Sequence, residues 1–214
     1  MSKVILFQGD SITDSQRDRK CDGLCYGLGN GYALLAASRL LADHPNDGLQ
    51  FFNHGISGNR VVDLYARWKQ DTINVKPDIL SILIGVNDTW HEAQFQNGVE
   101  LDRFEAIYRM LVEWTLKALT KCKLLLMEPF ALPFGQPMTW EAKFRAEIPR
   151  RGKIVKAIAK DFNVTFLPLQ KKIDAAVKAV NGNYSHLLMD GVHPACAGHQ
   201  LIADEWIKAT KEFF

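Results

Sequence analysis

Ser11 follows Gly9-Asp10 at the end of an unbroken apolar run, Val4-Ile5-Leu6-Phe7. A serine hydroxyl is inert near neutral pH unless a base takes its proton, and an imidazole suits that task. Among the six histidines, His193 is the best placed, within Asp190-Gly191-Val192-His193-Pro194. Asp190 can fold back through a tight loop containing Gly191 and accept a hydrogen bond from His193 Nδ1, which fixes the tautomer and stabilises the imidazolium. Pro194 would help to hold that loop. Acyl transfer also needs donors aimed where an oxyanion develops, each worth roughly 3 kcal/mol of barrier. The backbone N–H of Ser11, the backbone N–H of Gly58 and the side-chain amide of Asn87 could supply three. A glycine at 58 lets the backbone approach a substrate closely, and Asn87 offers an amide where an Asp would repel the anion.

Each cluster also has a plainer reading. Ser11 could be a helix N-cap or turn serine, and Asp190 with His193 a loop cap beside a solvent-facing ring. Position favours the chemistry. Short apolar runs at Val4–Phe7, Leu49–Asn53, Ile79–Ile84, Lys123–Met127 and Val164–Leu167 read as strands. Helical stretches lie between and after them, at Tyr32–Asp43, Val62–Val75, Leu101–Thr120, up to Asp161, Ile173–Val180 and His199–Phe213. Loops are expected over Asp14–Gly31, His54–Asn59, Gly85 through Gly98, Phe130–Thr139 and Asn181–Ala197. Pro149 inside the fourth helical stretch predicts a kink or a fresh helix start. Five alternations of strand and helix predict a five-stranded parallel sheet covered on both faces, a three-layer α/β/α sandwich, as one domain over residues 1–214. In such a sheet the polar clusters Gly9-Asp10-Ser11, Ser57-Gly58-Asn59 and Gly85-Val86-Asn87-Asp88 follow successive strands and converge on one edge.

The bulk properties exclude several other roles. With 214 residues, 47% of them hydrophobic, and a net charge of +2, the chain has no basic run longer than a pair or triplet. Arg150-Arg151 and Lys171-Lys172 read as solvated helix faces, so no nucleic-acid partner is expected. The apolar runs fall short of a membrane span, and no leader precedes the first strand, which points to a cytoplasmic protein. Cys21, Cys25, Cys122 and Cys196 are too few and scattered for a disulfide scaffold. Free thiols are expected, although Cys21 and Cys25 are close enough in sequence to meet. No second Cys pair completes a zinc site. Gly27-x-Gly29-x-Gly31 follows a loop and does not match a dinucleotide fingerprint.

Taken in order, Gly9-Asp10-Ser11, Gly58 in Ile56-Ser57-Gly58-Asn59, Asn87 in Gly85-Val86-Asn87-Asp88, and Asp190-Gly191-Val192-His193-Pro194 resemble the four blocks of the SGNH hydrolases, also called GDSL esterases and lipases. The resemblance implies a flavodoxin-like sandwich and a serine esterase that needs neither metal nor cofactor. It assigns Ser11, Asp190 and His193 as the triad, and Ser11, Gly58 and Asn87 as the oxyanion hole. Gly29-Asn30-Gly31-Tyr32, Asn53 to Asn59 and Leu83 to Trp90 further resemble the intracellular acetylxylan esterase branch. That branch removes acetyl groups from xylo-oligosaccharides, and some of its members form homo-oligomers.

Trp90, Phe134 and Trp140 fall in expected loops, where rings could stack on sugar faces or simply anchor the loop. Asp10 and Asn59 are candidate substrate contacts, with Asp10 also suited to supporting the turn. Asp14 and Arg60 could support the site or serve as caps. The favoured function is hydrolysis of short acyl esters, such as acetylated sugars, with a small-molecule ester as the partner. The alternatives are a lysophospholipase or thioesterase, and a non-catalytic interaction module on the same fold.

Overall fold

The computed structural model describes residues 2–132 and 138–214, the side chains of 138–141 apart. Five strands, β1 (Lys3–Gly9), β2 (Leu49–Asn53), β3 (Ile79–Leu83), β4 (Lys123–Met127) and β5 (Thr165–Leu167), form one parallel sheet in the order β2-β1-β3-β4-β5. The helices are α1 (Ser11–Asp14), α2 (Tyr32–Asp43), α3 (Val61–Trp68), α4 (Val86–Phe95), α5 (Leu101–Ala118), α6 (Met138–Asp161), α7 (Gln170–Ala179) and α8 (Cys196–Thr210).

The pleat splits each strand between two cores, because successive side chains point to opposite faces. Ile5, Phe7, Ile79, Leu83, Leu125 and Met127 pack with α2, α7 and α8. Leu6, Leu80, Ile82, Leu124 and Leu126 face the other way, against α3, α5 and the C-terminal half of α6. Both faces are covered, which is why the strands read as continuous apolar runs. This is the three-layer α/β/α sandwich with a flavodoxin-like strand order.

Several elements depart from the sequence expectation. Residues 86–95, expected as loop, form α4; their mixed polar and aromatic composition carries no clear apolar period. One turn of helix, α1, forms over Ser11–Asp14, just ahead of the expected Asp14–Gly31 loop, because Asp10 caps it. The stretch expected as one helix over Val62–Val75 ends as α-helix at Trp68 and continues as a π turn over Lys69–Ile73. At Pro149, where a kink or a fresh start is expected, α6 continues as one helix with the proline inside it, and the proline has no N–H to donate there.

Arg151 is also corrected. It is 1% exposed rather than solvated, because Ile148, Arg151, Val155 and Ile158 share one inward face of α6. Its guanidinium donates to the Val99 carbonyl at 2.6 Å and to Thr89 Oγ1 at 2.9 Å, and lies 4.9 Å from the Phe104 ring centre. It therefore ties α6 to α4 and to the segment before α5. Phe134 and the Trp140 side chain lie outside the described residues. Among the described residues, no helix is long and apolar enough to cross a membrane.

Candidate active site

Strand order decides where the site forms. Chain direction across the sheet reverses between β1 and β3, which are neighbours with Gly9 opposite Leu83. The two segments leaving these strands carry Ser11 and Asn87. Ser11 opens α1 immediately after Asp10, whose Oδ1 accepts the Ile12 N–H at 3.0 Å. A side chain at Gly9 would collide with Thr13 and the Leu83 carbonyl, so this tight exit needs glycine.

His193 comes from the far end of the chain. Its Nε2 lies 2.9 Å from Ser11 Oγ, and its Nδ1 lies 2.7 Å from Asp190 Oδ2. The other Asp190 oxygen accepts the N–H groups of Val192 at 3.0 Å and His193 at 2.8 Å. Gly191 makes this fold-back with a φ of 89°, a region that favours glycine. The loop is stitched by the Leu188–Pro194 bridge and by the Ala195 N–H donating to the Leu187 carbonyl at 2.8 Å.

The electrostatics follow from this line. Burial alone would raise the Asp190 pKa, but the bonds from the His193 ring and from two backbone N–H groups hold it down at about 2. The Asp190 bond in turn raises the His193 pKa above the ordinary imidazole value, against the opposing effect of burial. Asp10 lies beneath, 1% exposed, with its pKa pushed up by burial to about 7. A substrate contact for Asp10 is thereby corrected, because its carboxylate is enclosed and caps α1.

A ring of hydrogen bonds joins the remaining clusters. Asp14 Oδ2 accepts from Ser57 N–H at 2.9 Å and Ser57 Oγ at 3.0 Å, fastening the loop after β2 to α1. Ile56 N–H donates to the Gly9 carbonyl at 3.1 Å. Asn87 Nδ2 donates to the Asn59 carbonyl at 3.1 Å, which orients the amide, and among the described residues no acceptor takes its second N–H. Asp88 Oδ1 accepts the Val61 N–H at 3.0 Å, locking α4 to the start of α3. Gly58 holds a φ of 83°, and no acceptor among the described residues takes its N–H or that of Ser11.

Asn59 Oδ1 accepts from Arg67 Nε at 2.8 Å. Arg60 binds Asp63 and Asn97. Trp90 sits on α4 rather than in a loop, with its ring 6.1 Å from that of His193 and edge-on to Phe144.

Sequence reasoning missed Asn53. It is fully buried, donates from Nδ2 to the carbonyls of Thr13 at 2.6 Å and Leu28 at 2.9 Å, and accepts the Gly55 N–H at 2.9 Å. An asparagine ending a buried strand was the available signal. All four cysteines are free. Among the described residues, no group of three or more His, Cys, Asp or Glu is placed to hold a metal ion.

Comparison with known proteins fits this geometry. Residues 7–201 match the model of the GDSL-like Lipase/Acylhydrolase family. An acetylxylan esterase of Geobacillus stearothermophilus is 37% identical over 209 residues, covering 95% of this chain and 92% of that protein. Its crystal structure, of the enzyme Axe2, superposes with a TM-score of 0.85 over 97% of this chain and 93% of that one. A GDSL-like lipase of Parabacteroides merdae, also 37% identical, gives a TM-score of 0.91 over 98% of this chain and 95% of that one. Other solved structures of Axe2 are of catalytic mutants, altered at a serine, a histidine and an aspartate. The chain thus belongs to the GDSL-like lipase/acylhydrolase family, the SGNH hydrolases, and is a carboxylic ester hydrolase.

Proposed function

We propose that the protein is a serine esterase that removes acetyl groups from carbohydrates, such as acetylated xylo-oligosaccharides, through an acyl-enzyme. The observation that carries this reading is the line Ser11 Oγ–His193 Nε2–His193 Nδ1–Asp190, with contacts of 2.9 and 2.7 Å. The 37% identity to an acetylxylan esterase supports the substrate class.

In this reading His193 Nε2 takes the Ser11 proton as Oγ forms a bond to the ester carbonyl carbon. The carbonyl electron pair moves to oxygen, and the N–H groups of Ser11 and Gly58 and the Asn87 amide stabilise the oxyanion. The imidazolium gives its proton to the leaving sugar oxygen as the C–O bond breaks, leaving an acetyl ester on Ser11. Water, deprotonated by His193, then attacks that ester, and collapse releases acetate and restores the serine hydroxyl. Asp190 stays ionised throughout, because its pKa near 2 lies far below the working pH. The free thiols suit a reducing cytoplasm.

The test is hydrolysis of p-nitrophenyl acetate and of acetylated xylo-oligosaccharides by the wild type and by Ser11→Ala. Turnover of both substrates should occur and be lost in the variant. Retained turnover in Ser11→Ala would remove the serine from the mechanism, and hydrolysis of long acyl chains in preference to acetate would replace the substrate class.

A further inference from the structure

A second imidazole, absent from the mechanism above, shares the cavity with Ser11 and His193. His199 lies in the first turns of α8 and lines this space of about 330 Å³ together with Ser15, Gln16, Ser57 and Met189. Its ring is seated against the start of α2. There His199 Nδ1 accepts the backbone N–H of Tyr32 at 3.2 Å, one of the helix-start donors that lack an intrahelical partner. A Cβ at Gly31 would stand 2.7 Å from both His199 Cε1 and Ser15 Oγ, so the glycine makes room for the ring.

That bond fixes the proton. A backbone N–H only donates, so Nδ1 must offer its lone pair, and a neutral ring then carries its hydrogen on Nε2. The ring is neutral across the working range, because burial and the nearby His193 charge lower its pKa to about 4. No acceptor among the described residues takes the Nε2–H, and this edge of the ring is not sealed from solvent. The N–H so fixed in orientation belongs to a ring that lines the same cavity as the hydroxyl of Ser11.

The surroundings indicate what it meets. Apart from His193, the side chains lining the cavity carry no formal charge, and they mix hydroxyl and amide groups with apolar Ile12, Met189 and Pro194. A phosphate or carboxylate would find no cation on these walls, whereas a ring-shaped polyol offers both apolar faces and hydroxyl oxygens. Ser15 and Gln16 form the wall in left-handed conformations, at φ 42° and 61°, which non-glycine residues keep only when their surroundings over-determine them.

We infer that His199 is a specificity-determining residue, whose Nε2–H donates a hydrogen bond to a hydroxyl oxygen of the neutral polyol portion of the ester. The inference rests on the proposed acetyl-ester reading and adds to it how the acceptor is recognised. A site built to bond a hydroxyl discriminates against compounds lacking it, because its own donor is otherwise left unpaired.

Two variants separate recognition from capping. His199→Asn places an amide oxygen near the Nδ1 position, keeping the α2 cap and removing the Nε2 donor. His199→Gln places an amide N–H near the Nε2 position and gives up the cap. The reading is the ratio of kcat/KM for a monoacetylated methyl xyloside to that for p-nitrophenyl acetate. In His199→Asn the ratio should fall about tenfold, through KM of the sugar ester. In His199→Gln it should stay within about threefold of wild type. Parallel loss on both substrates in both variants, or equal loss of the ratio in the two, would overturn the inference.

The ring nitrogen chemical shifts of the wild type give a check that needs no variant to fold. They should report the Nε2–H tautomer, and the Nδ1–H tautomer would overturn the inference. Absence of acetyl esterase activity in the wild type would instead defeat the reading of the Ser11 site itself.

Discussion

His193 and Asn87 are the residues whose chemistry is most directly testable. Only neutral His193 can take the Ser11 proton, and the Asp190 bond raises its pKa above the ordinary value of about 6.5. The rate kcat/KM should therefore fall as pH drops, with its midpoint above that value; a pH–rate profile flat to pH 4 would contradict an imidazole base. Asp190→Asn removes the charge that raises the pKa and the acceptor that sets the tautomer. It should lower kcat/KM by about 10³-fold or more and move the acidic limb downward, as read from the same profile. Because the folded Asp190 pKa is depressed, its linkage contribution to stability is present above the unfolded carboxyl value and is lost as pH falls through about 2. Asn87→Ala should reduce kcat by about 10²-fold with a much smaller change in KM, since in the proposed role the amide acts on charge present only in the transition state.

At the scale of elements, the site depends on how the loop after β2 is fastened. Asn53 alone bonds α1, the turn ending at Leu28 and the Gly55 backbone. Asn53→Ala would leave two buried carbonyls and one N–H without those partners. It should destabilise the fold by about 2–3 kcal/mol, measured by urea unfolding, and disturb Ser57–Asn59 with it. Helix α4 holds its place through different chemistry. Asp88 bonds the start of α3, and Arg151 reaches Thr89 from α6 while covering the Phe104 ring. The Asn87 amide, the proposed oxyanion donor, therefore stands on a helix braced from both sides.

For the whole molecule, Ser11 leaves the sheet at the end of β1 and His193 lies in the loop that leads into α8. Trp206 of α8 is fully buried, with its ring centre 5.1 Å from that of Phe7 on β1, and so couples the two. Trp206→Ala should cost about 3–5 kcal/mol of unfolding free energy through the cavity it leaves. Part of that loss should appear as weakened Ser11–His193 geometry, read as a fall in kcat on p-nitrophenyl acetate in protein that remains folded.

The sequence by itself determined the alternation of strands and helices, because strands buried on both faces must be continuously apolar and their ends must turn through small polar residues. Helix α2 and strands β2 and β4 fall within the residues expected of them. It also determined the reactive types: a hydroxyl after β1, an amide after β3, and an Asp-x-x-His loop near the C-terminus. Only the tertiary structure decided the rest, because those features arise from contacts between segments far apart in sequence. The fold turned residues 86–95 into helix by giving an unperiodic stretch buried partners, drew Arg151 into the interior, and enclosed Asp10 beneath Ser11. It also set the tautomer of His199, since Tyr32, the residue whose N–H fixes it, lies 167 positions away in the chain.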